Sequence, residues 1–591
     1  MTSPPRIVRR PSGQAGSWPD TMLPLLRRIY AARGVTDAQG AQPRLGQLLS
    51  PELLHNSGVA AELLADAIAQ QRRILVVGDF DCDGATACAV GVRGLRMLGA
   101  LDVHHAVPNR MVHGYGMSPA LVDELAALQP DVLVTVDHGI ACHAGVAAAK
   151  ARGWTVLVTD HHLPGEMLPP ADAIVDPNLA EDTFPSKTLA GVGVIFYVLL
   201  ALRSVLRKRG AFAGRAEPDL SVLLDLVAVG TVADLVPLDT NNRALVKVSS
   251  ARFGSTIASA GLRRLREGKG CIGLRALIDA SGRDVARLSA SDIGFALGPR
   301  LNAAGRLEDM ALGIELLLSE DWSQAREIAG TLEEINAERR AVQQLMTDDA
   351  EHAVTKVVLD GDGALPMAAC LFDADWHPGV IGLVASKLKD RLHRPVIALA
   401  PAEPGSSQLR GSARSIPGLH IRDVLAAVDA RHPGLIQKFG GHAMAAGLSI
   451  DHAVLATFEQ AFLAQVTAMV DASLLHAQLH SDGELAAHEL DHLHAEALRV
   501  AGPWGQGFPE PLFDGQFEVL QHRVLKDRHL KLTLRCPGRA EPLNAIHFNG
   551  WRGSDPARLV RLAYRLVADD YRGGTAVQLI VEHCEPVTVT G

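Results

Sequence analysis

The chain has 591 residues, of which 48% are hydrophobic and 21% charged, and its net charge is −9. This length suggests about three to four domains, and the acidic balance argues mildly against a simple nucleic-acid binder. No run approaches the ~18 apolar residues of a membrane span, and the N-terminus lacks the apolar core of a signal peptide. Seven scattered cysteines indicate neither a disulfide framework nor a zinc site, so we expect a cytoplasmic protein without membrane contact.

The N-terminal segment carries Arg6, Arg9 and Arg10 among proline, serine and glycine residues. We predict that residues 1–45 form a disordered lead-in to the first domain.

An acidic turn, Gly78–Thr86, follows a short apolar run at 74–77 and precedes a helical stretch at 85–98. The turn places Asp79, Asp81 and Asp83 at the carboxyl end of a predicted strand, where open α/β sheets bind ligands. Three carboxylates so close together repel one another unless a cation lies among them. Hard oxygen ligands favour Mg²⁺ or Mn²⁺.

Three other interpretations of this turn fit less well. A calcium EF-hand loop would have Glu where Val90 stands, and it would follow a helix rather than a strand. A haloacid dehalogenase-type phosphatase would lack Ala85 before Thr86. A simple helix cap needs only one aspartate.

Short apolar strands alternate with helices from Arg73 to about Val175, which predicts a parallel sheet. The strands predicted at 103–107, 132–136 and 155–158 follow the first one. Acidic and imidazole side chains come directly after two of them, at Asp137 and at Asp160–His162. Since parallel strands end at one edge of a sheet, we expect these residues to converge with the acidic turn.

Two further features lie before the second lobe. A helical stretch at 220–236 carries Asp234 between apolar neighbours, as a cap, a salt-bridge partner or, given the cluster, a last metal ligand. The segment 298–306 places Arg300 and Arg306 in a glycine-flanked loop that binds phosphate or covers the surface. A charged helix from Trp322 to about Val354 is predicted to join two lobes.

The second lobe is predicted to be α/β and contains three features suited to phosphate. They are a helix start at 376–380, a loop at 411–415 that combines hydroxyls with a guanidinium, and a Gly-rich loop at 440–442. Amide groups of helix N-termini and Gly-rich loops are free to bind anions. We expect an anion site that faces the metals.

The last segment is predicted to hold five strands, at 517–520, 529–534, 543–548, 559–567 and 575–582. Five short strands fit an OB-like barrel, a common single-strand-binding module. Basic residues with nearby rings could form a binding face, although the rings could equally belong to the barrel core: Lys526, Arg528, Lys531, Arg535, Phe548, Trp551 and Tyr571.

The order of the motifs Asp79–Gly84, Val136-Asp137, Asp160–His162 and Ala233-Asp234 resembles the DHH phosphoesterase family. With the glycine-rich segment at 440–442 and the barrel, the resemblance is to the bacterial branch that degrades single-stranded DNA in the 5′→3′ direction to 5′-mononucleotides, in DNA repair and recombination. It implies an α/β fold with a parallel-sheet DHH domain, a connecting helix, a DHHA1 domain and an OB-fold domain. The expected ranges are 46–320, 321–354, 355–466 and 467–591.

The resemblance also implies a two-metal site for Mn²⁺ or Mg²⁺. Asp81 and Asp137 would hold one ion, and Asp83, Asp137, His161 and Asp234 the other. The pyrophosphatase branch has a histidine ligand where Val77 stands, so Asp79 or water would complete the first set. The predicted catalytic residues are Asp79, His161 and His162, with His162 facing the scissile phosphate. The predicted substrate-binding residues are Arg110, Arg300, Asn302, Arg306, His377, Ser412, Arg414 and His442.

Two alternative functions stay open. One is a DHH phosphodiesterase that cleaves short oligonucleotides or cyclic dinucleotides, and the other is a non-catalytic replication scaffold. The barrel argues against the first and the intact acidic residues against the second. The resemblance further suggests a monomer whose partners are single-stranded DNA, single-strand binding protein and a RecQ-type helicase.

Overall fold

The computed structural model of the protein describes residues 4–110, 112–247, 261–360, 365–569 and 574–587, with the side chains of 356–360 left out. The chain forms two compact units. The first unit contains Arg10–Asn336 and the residues from Asp482 onward, and the second unit contains the residues up to Arg9 together with Ala337–Ser481. In the described ranges, no helix combines the length and apolar character needed to cross a membrane.

The strands follow one another in this order: β1 (Arg6–Arg9), β2 (Ile74–Val77), β3 (Val103–Ala106), β4 (Val132–Val136), β5 (Thr155–Thr159), β6 (Ala173–Val175), β7 (Ala369–Phe372), β8 (Val396–Pro401), β9 (Gln408–Arg414), β10 (Lys438–Gly441), β11 (Ala445–Asp451), β12 (Gln478–Ser481), β13 (Phe513–Leu525), β14 (His529–Arg535), β15 (Leu543–His547), β16 (Leu559–Ala568) and β17 (Val577–Pro586).

The α-helices are α1 (Pro24–Ala31), α2 (Ala38–Ala41), α3 (Ser57–Ala69), α4 (Cys82–Leu98), α5 (Pro119–Leu125), α6 (His143–Ala151), α7 (Gly191–Lys208), α8 (Leu224–Ala233), α9 (Thr240–Val246), α10 (Gly261–Arg266), α11 (Ile272–Ala280), α12 (Ala290–Asp292), α13 (Gly298–Leu307), α14 (Ala311–Leu318), α15 (Trp322–Asp360), α16 (Ile381–Leu392), α17 (Ile421–Arg431), α18 (Leu455–Met469) and α19 (His492–Ala501). A π-helical turn, Ile293–Leu297, precedes α13.

The first sheet has the strand order β3-β2-β4-β5-β6, and all of its pairs are parallel. Alternate residues of β2 enter two separate cores. Ile74 and Val76 pack with residues of α4 and α7, whereas Leu75 and Val77 pack with residues of α5 and α6. A strand buried on both faces must be apolar throughout, which is why the run 74–77 has no polar alternation. The predicted parallel sheet is confirmed.

The second unit contains a five-stranded sheet of order β10-β11-β9-β8-β7, in which only β7 and β8 are parallel. Its core combines residues of this sheet with α17 and α18. The 39-residue helix α15 runs from one unit into the other, as predicted for the connecting helix, and ends at Asp360 rather than near Val354.

The C-terminal strands close into a barrel of order β13-β14-β15-β17-β16. The five predicted strands are confirmed, and the first and last are longer than expected. Phe513 and Phe517 lie in the barrel core, whereas Phe548 is exposed and packs edge-on against His529. Tyr571, predicted as a stacking ring, lies outside the described residues.

The prediction of a disordered N-terminal lead-in is wrong. β1 pairs in parallel with β12, and α1 buries Leu25, Ile29 and Tyr30 in the core that it shares with α19 and the barrel. The Tyr30 hydroxyl donates to the Ala501 carbonyl over 2.8 Å. The apolar face of α1 packs against residues more than 450 positions later in the chain. Local composition therefore could not show that this segment is folded.

Three segments predicted as loops belong largely to helices and strands. Residues 298–306 belong to α13, where Pro299 is tolerated in the first turn. Residues 411–414 belong to β9, and 440–441 to β10. Gly411 lies where a Cβ would come within 2.7 Å of Leu448, so this glycine permits close packing within a sheet and does not mark a loop.

Candidate metal centre at the strand ends

The carboxyl ends of the parallel strands lie side by side. Val77 of β2 pairs with Thr135 of β4, and Val136 pairs with Thr159 of β5. The residues that follow these strands therefore enter one crevice, as the sequence predicted. Asp234 reaches the same crevice from the C-terminal end of α8, a helix that packs on α4.

Asp81 caps α4. One of its carboxylate oxygens accepts hydrogen bonds from the amides of Asp83 and Gly84, at 2.9 and 3.0 Å. An aspartate at this position satisfies donors that a helix start leaves free and is favoured by the helix dipole. The cap thus fixes the acidic turn and leaves the other oxygen of Asp81 for a ligand.

Asp83 is fully buried and is held by the start of α7. Its two oxygens accept from the amides of Gly191 and Val192, at 2.6 and 3.1 Å. A Cβ on Gly191 would lie 2.5 Å from the Cβ of Asp137, so only glycine allows this approach. Sequence reasoning missed the hydrogen bonds between Asp83 and the start of α7, because the two segments are more than 100 residues apart.

Asp137 has a left-handed backbone, with φ of +65°, which aspartate tolerates better than most residues. Its amide donates to the Thr159 carbonyl over 3.1 Å. Its Oδ1 lies 3.1 Å from His161 Nε2, and Asp234 Oδ2 lies 3.6 Å from the same nitrogen. This conformation aims the carboxylate into the middle of the cluster.

Three sets of side chains offer ligand atoms that all lie within 4.8 Å of one another. The sets are Asp79, Asp81 and Asp137; Asp83, His161 and Asp234; and Asp137, His161 and His162. Asp137 and His161 each belong to two sets. The structure therefore brings together the six residues predicted as ligands or as their completion, and it places Asp137 between the two acidic groups.

The electrostatics of the cluster match a cation site. Burial and the neighbouring Asp81 raise the pKa of Asp79 to about 8, and burial and Asp83 raise the pKa of Asp137 well above its usual range. Burial lowers the pKa of His161, which favours the neutral ring that binds metals. Within the described residues, Asp79 Oδ1 is buried with no hydrogen-bond partner, and the buried Asp137 Oδ1 and His161 Nε2 form no hydrogen bond although they lie 3.1 Å apart. Hard oxygens, one imidazole and these unpartnered atoms fit Mg²⁺ or Mn²⁺.

Asp160, the first residue of the Asp-His-His triplet, organises the other two. Its Oδ1 accepts from the amides of His161 and His162 and is 2.8 Å from His162 Nδ1, while its Oδ2 accepts from the Ile140 amide. Burial opposes a charge on His162, but Asp160 outweighs it and raises the pKa of His162 to about 9. Asp160 thus orients the His162 ring and favours its protonated form.

Two groups beside the centre were missed by sequence reasoning. The Asn178 side-chain amide donates to the His161 carbonyl over 2.6 Å and holds the triplet in place. The Tyr115 hydroxyl lies 3.4 Å from His162 Nε2, and its ring meets Phe80 edge-on. Arg110, which was predicted to bind substrate, lies over the ring of Phe80, with its guanidinium carbon 4.8 Å from the ring centre.

The predicted substrate residues of α13 lie in different surroundings. Arg300 is buried, forms an ion pair with Glu333 of α15 and donates to the Ala296 carbonyl. Asn302 accepts a hydrogen bond from the amide of Cys82, inside the acidic turn. Arg306 is half-buried in the last turn of the helix. Their roles toward substrate stay predictions.

Three of the predicted substrate residues of the second unit, His377, Ser412 and Arg414, lie near the start of α16. Arg414 donates to the hydroxyls of Ser412 and Ser386, at 2.9 and 3.1 Å. A Cβ on Gly382, in the first turn of α16, would lie 2.9 Å from this guanidinium. His377 Nδ1 accepts from the Gly379 amide just before the helix.

His442 lies in the turn between β10 and β11, where its amide donates to the Ala445 carbonyl. As a backbone donor at a hairpin end, it is fixed by the sheet. Its predicted contact with substrate stays a prediction.

Three family models match the chain in succession. They are the DHH family, N-terminal domain, at residues 73–231, the DHHA1 domain at 364–471 and the RecJ OB domain at 481–583. This order confirms the predicted domain order, while the predicted boundaries stay predictions.

Known relatives match the chain over nearly its whole length. It is 50% identical over 588 residues to the single-stranded-DNA-specific exonuclease RecJ of Dickeya dadantii, which covers 98% of this chain and 99% of the relative. It is 46% identical over 587 residues to RecJ of Escherichia coli, with 98% and 99% covered.

Solved structures are also similar. A crystal structure of RecJ from Thermus thermophilus in complex with Mn²⁺ matches with a TM-score of 0.77 and 30% identity, covering 96% of this chain and 76% of that one. A crystal structure of the same protein with Mg²⁺ matches with a TM-score of 0.72 and 29% identity, with the same coverage.

Proposed function

Because this chain belongs to the RecJ family of single-stranded-DNA-specific exonucleases, we propose that it is a metal-dependent exonuclease. It hydrolyses phosphodiester bonds of single-stranded DNA from the 5′ end and releases 5′-mononucleotides. Its physiological setting is DNA repair and recombination in the cytoplasm.

One observation carries this proposal: carboxylates of three separate segments and His161 meet at one edge of the sheet, in sets whose ligand atoms lie within 4.8 Å of one another. Ionised carboxylates this close repel one another, and bound cations remove that repulsion. Mn²⁺ and Mg²⁺ are the ions named for the Thermus relative, and the donor set here suits both.

We assign the ligands of each ion from the three sets of neighbouring side chains and from the resemblance to the family. Asp81 and Asp137, completed by Asp79, would hold one ion. Asp83, Asp137, His161 and Asp234 would hold the other, with Asp137 shared. When bound, two such ions activate a water and stabilise charge on the phosphoryl oxygens during in-line displacement.

The remaining side chains orient the reactants. His162 Nδ1 lies 2.8 Å from Asp160 and its Nε2 lies 3.4 Å from the Tyr115 hydroxyl, and we propose that this ring faces the scissile phosphate. Among the residues that the structure describes, none forms a hydrogen bond with Asp79 Oδ1, and we propose that this oxygen holds the attacking water by a hydrogen bond.

End recognition is proposed for Arg414, because a terminal phosphate carries more charge than an internal one. Within the second unit, the Arg414 guanidinium, the Ser412 hydroxyl and the first turn of α16 converge. A guanidinium binds phosphate in a fork, and a helix N-terminus adds amide donors. Binding of the 5′ phosphate there would set the 5′→3′ direction.

The barrel is proposed to hold the strand behind the cleaved end. Phe548 is 53% exposed beside His529, and Lys531 lies on the neighbouring strand β14. Exposed rings next to basic residues bind single strands by stacking and phosphate contacts. We further propose a monomer that works with single-strand binding protein and a RecQ-type helicase.

The test uses single strands labelled at the 5′ or 3′ end, incubated with Mn²⁺ with and without chelator. We expect the 5′ label to appear first as mononucleotide, while the 3′-labelled strand shortens progressively, and chelator should stop both. Release of the 3′ label first, or cleavage that survives chelation, would contradict the proposal. A duplex of the same sequence serves as the control substrate and should resist cleavage.

A further inference from the structure

Helix α13 packs directly on the acidic turn. The Asn302 Oδ1 accepts a hydrogen bond from the Cys82 amide over 2.7 Å. One turn later on the same helix, a Cβ on Gly305 would lie 1.9 Å from the Phe80 carbonyl oxygen. Two successive points of α13 thus touch the backbone between Asp79 and Asp83.

The contact with Cys82 completes the hydrogen bonding of the start of α4. Asp81 accepts from the amides of Asp83 and Gly84, and the Cys82 amide is satisfied by Asn302. Cys82 lies between the two proposed ligands Asp81 and Asp83. A shift of its amide would therefore move the carboxylates on both sides.

The chemistry of the asparagine suits this place. Its amide oxygen satisfies the donor without adding a negative charge to a cluster in which Asp79, Asp81 and Asp137 already lie close together. Glycine at 305 lets the helix come into contact with the turn, since any side chain would collide with a carbonyl.

We propose that Asn302 and Gly305 are positioning residues that fix the spacing of the metal ligands, and that Asn302 does not serve as the DNA contact predicted from the sequence. This inference rests on the proposed metal centre. It assigns to α13 a role in the affinity of the protein for Mn²⁺ before any DNA is bound.

The experiment measures Mn²⁺ binding to the full chain by calorimetry, without DNA, for wild type, Asn302→Ala and Gly305→Ala. We expect both variants to bind Mn²⁺ about 10- to 100-fold more weakly, as for losses of groups that orient metal ligands. Gly330→Ala is the matched control: this glycine also lies in a helix, but an added Cβ would meet no atom within 4 Å. This variant should bind Mn²⁺ like wild type. Thermal melts identify a variant that has unfolded.

A second measurement separates positioning from DNA contact. Binding of a long single strand in EDTA should be unchanged in Asn302→Ala. Asn302→Asp keeps an oxygen that can accept from Cys82, so it should restore Mn²⁺ affinity relative to Asn302→Ala. If the side chain touched DNA phosphate, Asn302→Asp would bind the strand more weakly than Asn302→Ala, because a carboxylate repels phosphate.

Two results would overturn the inference, and they are distinguishable. Wild-type Mn²⁺ affinity in a folded Asn302→Ala removes the positioning role and leaves the proposed function standing. A wild-type protein that binds no Mn²⁺ removes the metal centre, and the proposed function with it.

Discussion

Two groups of buried acids in the same compact unit behave differently. Asp482 pairs with Arg33 through two hydrogen bonds of 2.7 and 3.0 Å, and both side chains are at most 2% exposed. Asp83 and Asp137 are equally buried, yet among the described residues neither is paired with lysine or arginine. Arg33 neutralises Asp482 inside the protein, whereas backbone amides hold Asp83, and both Asp83 and Asp137 lie close to acids of like charge.

The difference shows how a functional cluster can be separated from a structural one. A buried ion pair satisfies its own charges, so nothing further has to bind. Carboxylates that lie close to one another without a basic partner repel when ionised, and a bound cation relieves that repulsion. Burial alone does not distinguish Asp482 from Asp83 and Asp137, since all three are buried.

The largest effect on activity should come from removing the shared ligand. Asp137→Asn keeps the size of the side chain and suits a left-handed backbone, but it removes the bridging charge. We expect turnover on single-stranded DNA to fall about 100-fold or more, which is ~2.7 kcal/mol in the barrier, with folding retained. Retention of more than about a tenth of wild-type turnover, in a melt-verified sample, would contradict the shared-ligand assignment.

Breaking the structural pair should instead cost stability. Arg33→Ala leaves the buried Asp482 with the longer 3.8 Å contact to Arg10 in place of the two short hydrogen bonds, and we expect a loss of about 3 kcal/mol in the free energy of unfolding. Turnover per folded molecule should stay near wild type. The double variant Arg33→Met, Asp482→Leu should recover much of the loss. Urea unfolding and active-site titration check both statements, and a stable but inactive Arg33→Ala would reverse the comparison.

Metal should stabilise only the functional cluster. With free Mn²⁺ at about 100 times its dissociation constant, the wild-type protein should gain about 2.7 kcal/mol in stability. Arg33→Ala should show the same gain from its lower baseline, whereas Asp137→Asn should show much less. Thermal melts with and without chelator measure this, and an equal gain in all three proteins would mean that Mn²⁺ binds elsewhere.

The smallest effect concerns Arg414, a half-buried cation whose hydrogen bonds to Ser386 and Ser412 go to neutral hydroxyls. Loss of a charge-assisted bond to phosphate is worth about 1.5–3 kcal/mol. In Arg414→Ala, the ratio of kcat/KM for 5′-phosphorylated over 5′-hydroxyl strands should therefore fall roughly tenfold or more, mainly through KM. Arg422→Ala, exposed on α17, is the control. An unchanged ratio would move end recognition to another site, with Arg300 and Arg306 the next candidates.

Local sequence determined the framework of the metal centre. An apolar run, an acidic turn and a helix are decided by neighbours along the chain, and parallel strands bring their ends to one edge whatever the rest of the fold. The convergence of Asp79, Asp83, Asp137, His161 and Asp234 could therefore be predicted from spacing and resemblance. The barrel strands followed in the same way from alternation between turns.

Only the tertiary structure decided what holds these groups in place. The amides of Gly191 and Val192 that orient Asp83, the contact of Asn302 with Cys82 and the burial of α1 all join segments distant in sequence. Glycine misled the sequence analysis for the same reason: at 305 and 411 it permits close packing, which depends on a partner that the local sequence does not contain. A pattern along the chain reports what a segment can form, whereas the distant contact determines which atoms are left to bind a ligand.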